Sequence, residues 1–77
     1  MTAALLRPET LAVRNRGGGI HTRPMVTATL GSRQMLNGVT TIDPGCAVPL
    51  HIHNCEESVL VLSGTGRAHI DGAEHDV

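Results

Sequence analysis

The chain has 77 residues, one small domain at most. It carries no Phe, Tyr or Trp, and its six arginines against seven acids leave a formal charge of −1, so it lacks the basic footprint of a nucleic-acid binder. No apolar stretch approaches the ~18 residues of a membrane span, and the short apolar run at 3–6 falls below a signal-peptide core, so the expectation is a cytoplasmic protein with no membrane or nucleic-acid partner.

In chain order, residues 1–11 have room for one helical turn, which Pro8 keeps short. Gly17, Gly18 and Gly19 read as a plain loop, since no Gly-Lys-Ser/Thr follows to make a phosphate cradle. These features make 1–24 an N-terminal arm. From Pro24 onward the pattern is β. Residues 25–30 are rich in β-branched side chains, and 33–43 contains Val39, Thr40, Thr41 and Ile42 before the turn signal Asp43-Pro44-Gly45. Residues 48–53 form a short strand in which Pro49 fits an edge or bulge. Residues 57–62 are the strongest strand signal in the chain. Residues 67–70 follow Gly64-Thr65-Gly66, and Asp71-Gly72 predicts a tight hairpin into a returning strand at 73–77. Short strands at near-regular spacing, with no alternating helical pattern, predict an all-β barrel or sandwich over 25–77.

A chain this short buries only about 60% of its unfolded surface. Without aromatic side chains its core rests on aliphatic ones, which bury less area each. Such chains lean on a metal, a disulfide or association. In a reducing cytoplasm a bridge between Cys46 and Cys55 does not persist.

The central segment carries the chemistry. Its spacing is Gly45-x5-His51-x-His53-x3-Glu57-x6-Gly64. Residues two apart in a strand face the same way, so His51 and His53 project side by side, and Glu57 opens the next strand toward the same place. Two imidazoles and one carboxylate suit Fe, Mn, Ni, Cu or Zn as divalent ions, and they are the donor set of a facial triad with open positions. A zinc site using Cys55 with His51 and His53 shares strand parity, but it lacks the paired spacing of structural zinc sites. Glu56 points the other way. His21, His69 and His75 lie outside the cluster. Of these, His69 sits on the strand beside Glu57 and is the candidate for a fourth ligand.

This spacing resembles the first of the two sequence motifs of the cupin superfamily, with every glycine, histidine and glutamate position met. A looser resemblance to small single-domain cupins extends over about residues 35–74. The resemblance implies a double-stranded β-helix, or jelly roll, in which His51, His53 and Glu57 bind a divalent metal inside the barrel. The family's second motif, Pro-x-Gly-x2-His, supplies a fourth ligand, and it is absent here. The expectation is therefore a partial, truncated barrel lacking its last strands, with three protein ligands unless a partner chain adds one.

Cupins host many reactions as well as non-enzymatic binding, so the fold names no substrate. The sequence reading is a cupin-type domain that binds a divalent metal. The alternative is a non-enzymatic small-molecule-binding or dimerisation module, or an inactive fragment. A short chain ending on an open strand edge invites pairing, so a homodimer is expected.

Overall fold

The computed structural model describes residues 3–52 and 55–77. The fold is all-β; among the described residues five antiparallel strands form two sheets: β1 (Arg14–Gly17), β2 (Ile20–Val26) and β3 (Asn37–Ile42) in the order β1-β2-β3, and a separate hairpin of β4 (Arg67–Ile70) and β5 (Ala73–Asp76). Single 3-10 turns occupy Pro8–Thr10 and Ala28–Leu30. The architecture is that of a partial cupin-like sandwich. No helix is long and apolar enough to cross a membrane among the described residues.

Of the three glycines at 17–19, Gly17 closes β1, and Gly18 and Gly19 make the hairpin turn into β2. All three have positive φ, at 82°, 62° and 80°, the left-handed region that costs a side chain but not glycine. A bulge falls between Asn15 and Gly17, where the Asn15 side chain accepts a hydrogen bond from the Gly17 N–H at 2.9 Å. The sheet thus reaches N-terminal of Pro24. β2 begins at Ile20, and the segment 25–30 splits, its first residues closing β2 and its last forming the 3-10 turn that Gly31 ends at φ 106°.

β2 and β3 make the longest ladder, from Ile20 opposite Ile42 to Val26 opposite Asn37. The Thr22 and Thr40 hydroxyls meet across it at 3.1 Å, a cross-strand pair of the kind that fixes register. A Cβ at Gly38 would lie 2.6 Å from the Arg23 carbonyl oxygen, so only glycine permits this approach. The ladder extends past β3, with the Asp43 N–H donating to the Gly19 carbonyl at 2.9 Å. The chain then turns at Asp43-Pro44-Gly45. The Cys46 N–H returns to the Asp43 carbonyl at 3.0 Å and Gly45 takes φ 78°. Proline second and a positive-φ glycine third is the arrangement a type II turn demands.

The β4–β5 hairpin follows its sequence signal. Asp71 and Gly72 both take positive φ, 50° and 78°, and four residue pairs align from Arg67 opposite Asp76 to Ile70 opposite Ala73. Gly66 and Val77 exchange two further backbone bonds. One face carries Arg67, His69, Glu74 and Asp76. Arg67 lies 3.3 Å from Glu74 and 3.8 Å from Asp76, and His69 lies 3.6 Å from Glu74.

Two expected strands do not form among the described residues. Residues 48–52 and 57–62 take no strand conformation. Neither segment belongs to either of the two sheets, and β propensity is expressed only where a neighbouring strand and a covered face are present. Among the described residues Ile20 alone is buried, at 8% exposure.

Candidate metal centre

The segment bearing the donor residues leaves β3 through the Asp43-Pro44-Gly45 turn, which is anchored on β2. There His21 Nε2 lies 3.3 Å from Asp43 Oδ2. A side chain at Gly19 would strike Cys46 Sγ, so the thiol is seated directly on the β1–β2 turn. The first residues after β3 are therefore fixed by three contacts with the preceding hairpin. The described residues beyond them, 47–52, are exposed.

His51 is exposed, and its Nδ1 lies 2.7 Å from the carbonyl oxygen of Pro49. A carbonyl only accepts, so this contact is a hydrogen bond in the tautomer that carries its proton on Nδ1. Metal-binding imidazoles hold this tautomer, with one ring N–H on a backbone carbonyl or carboxylate and the other nitrogen toward the metal. Pro49 contributes through its oxygen, a use that its missing N–H does not impair.

Glu57 lines an open groove with Met35, Leu36, Asn37, Glu56 and Ser58. Met35 and Leu36 are exposed apolar side chains on the loop entering β3, and Asn37 opens that strand. The Ser32 hydroxyl bonds the Met35 backbone and shapes this loop. Glu56, expected to face away, shares the groove with Glu57. Met35 and Leu36 are walls that the sequence pattern left unremarked. The available signal was an apolar pair placed immediately before Asn37-Gly38, too polar a setting for a core position.

His53 lies outside the described residues. Among those described, no three His, Cys, Asp or Glu side chains gather where they could hold a metal ion. An imidazole and a carboxylate, donor types that a divalent cation takes, both lie at the surface of this segment. The remaining histidines are placed elsewhere. His21 faces Asp43, His69 faces Glu74, and His75 stands opposite Ala68 on the other face of the hairpin. Cys46 and Cys55 are free, exposed thiols.

A family model described as auxin binding protein matches residues 14–76, from the first residue of β1 to the last of β5. The chain is also similar to Auxin-binding protein T92 of Nicotiana tabacum, with 32% identity over 60 residues that cover 78% of this chain and 32% of that protein. The chain thus spans about a third of the length of the curated relative it matches. No solved structure matches it.

Proposed function

The chain belongs to the auxin-binding protein family of the cupin superfamily, and from that premise we propose that it binds a small organic acid of the auxin type through a divalent metal held by His51, His53 and Glu57. The observation that carries this reading is the 2.7 Å contact between His51 Nδ1 and the Pro49 carbonyl. It suits the tautomer protonated at Nδ1, the one whose Nε2 can ligate.

The metal, when bound, supplies a positive charge and open coordination positions for a carboxylate. The protein's own residues do the rest. Glu57 adds a negative donor that partly neutralises the ion. Pro49 holds the ring plane of His51. Met35 and Leu36 offer an apolar wall beside Glu57, suited to the ring of a small amphipathic acid. A few polar groups set against an apolar lining is the usual composition of a small-molecule site.

Calorimetric titration with indole-3-acetic acid, before and after metal removal by a chelator, tests this reading. Saturable binding that disappears with the metal and returns on its readdition is the expected result. Binding indifferent to chelation, or a chain that retains no divalent ion, would overturn it.

A further inference from the structure

We propose that Asn37 is a site of spontaneous deamidation, in which the Gly38 amide nitrogen closes a five-membered ring on the Asn37 side chain, and that the reaction adds a carboxylate to the groove lined by Glu57. Neither the metal nor the ligand takes part.

The first condition lies in the sequence. The chain has three asparagines, and of these Asn37 alone precedes a glycine; Asn15 precedes Arg16 and Asn54 precedes Cys55. Ring closure swings the next residue's nitrogen onto the side-chain carbon. A glycine there brings no Cβ to obstruct the movement and leaves the backbone free to rotate. Asp71-Gly72 shares that freedom, but a carboxylate resists nucleophilic attack where a carboxamide yields.

The second condition lies in the fold. Asn37 is exposed and is the first residue of β3, which is an edge strand of its sheet among the described residues. The bond from Asp43 to Gly19 marks a hydrogen-bonded pair, and alternation along the ladder makes Gly38 and Pro24 a non-hydrogen-bonded one. The Gly38 N–H therefore points away from β2, off the sheet edge, where no ladder bond ties it. The third condition is electrophilic. The Val26 N–H donates to Asn37 Oδ1 at 3.1 Å. That oxygen gathers negative charge as the nitrogen adds to the side-chain carbon, and a backbone donor aimed at it stabilises the charge.

The steps balance without an oxidant or reductant. The Gly38 nitrogen bonds Asn37 Cγ, its proton passes to the departing side-chain nitrogen, and ammonia leaves a succinimide. Water then opens the ring at either carbonyl. One opening gives aspartate at 37, and the other gives isoaspartate, whose main chain runs through the former side chain. Asn37 shares the groove with Glu56 and Glu57, so aspartate sets a third carboxylate beside them. Isoaspartate lengthens the main chain at the start of β3.

Peptide mapping by mass spectrometry, on the folded 77-residue chain incubated at neutral pH, tests the proposal. Asn37 should convert at least about tenfold faster than Asn15 and give both aspartate and isoaspartate. Asn15 is the internal control, because its Oδ1 also accepts a backbone N–H, from Gly17. Asn37→Gln, which must close a six-membered ring, should remain an amide over the same period. Mapping in urea reads the same chemistry without the fold. An Asn37 that stays intact in the folded chain while converting in urea, a rate no faster than that of Asn15, or aspartate with no isoaspartate would each overturn it.

Discussion

His21 Nε2 and Asp43 Oδ2 lie 3.3 Å apart, joining β2 to the turn that follows β3. The pair sits where the ordered sheet hands over to the donor-bearing segment. Its backbone counterpart is the Asp43 N–H on the Gly19 carbonyl, so one residue is held from both its main chain and its side chain.

Removing that side-chain contact should have a small effect on stability. Both groups are partly exposed, and solvent-screened pairs contribute about 0.2–1 kcal/mol. Asp43→Ala should therefore move the urea midpoint only slightly. Its larger effect should be faster amide exchange at residues 44–46. Unchanged exchange there would mean that the backbone bond alone holds the turn.

Gly38→Ala should be far more damaging. The new methyl would approach the Arg23 carbonyl oxygen to 2.6 Å, and backbone cannot yield as a side-chain tip can. Forcing extra volume into a close-packed position costs roughly 1–3 kcal/mol. Circular dichroism should show lost β-signal, with β2–β3 amides exchanging before those of β4–β5. A variant as stable as the original would show that the ladder relaxes freely.

Metal retention should fall by at least tenfold in His51→Ala and in Glu57→Ala, measured by elemental analysis after dialysis. A content that stays constant in both variants would place the ion elsewhere.

Met35→Ala and Leu36→Ala separate the groove from the metal. Each removes apolar surface next to Glu57 without touching a donor atom. Ligand affinity should drop several-fold per substitution, as expected from ~25 cal/mol per Å² of lost apolar contact, while metal content stays the same. A loss of metal in parallel with ligand would show that these side chains support the donor segment rather than the ligand.

The sequence made some elements plain and left others hidden, for physical reasons. The Asp71-Gly72 turn, β4 and β5 were legible because a two-residue turn with positive φ at both positions dictates its flanking strands locally. β3 was legible from Val39, Thr40, Thr41 and Ile42. β1 was not, since Arg14-Asn15-Arg16-Gly17 has no apolar alternation and becomes a strand only by pairing with β2. The start of β2 was obscured by His21, Thr22 and Arg23, whose strand state comes from the ladder with β3. The reading of 57–62 erred the other way: strong β propensity, in a segment that joins neither sheet. For the site, the glycine, histidine and glutamate spacing marked the family correctly. The groove walls at Met35 and Leu36 were harder to read: the apolar pair is visible before Asn37-Gly38, but its place beside Glu57 comes from a loop distant in sequence.

The division into a three-stranded meander and a separate hairpin also bears on the order of assembly. Nearly every strand pairing joins residues close along the chain, with the β1–β2 and β4–β5 turns only a few residues long. Hairpins of this kind close in about 1–10 μs. The two sheets can nucleate independently, without waiting for a long loop to close.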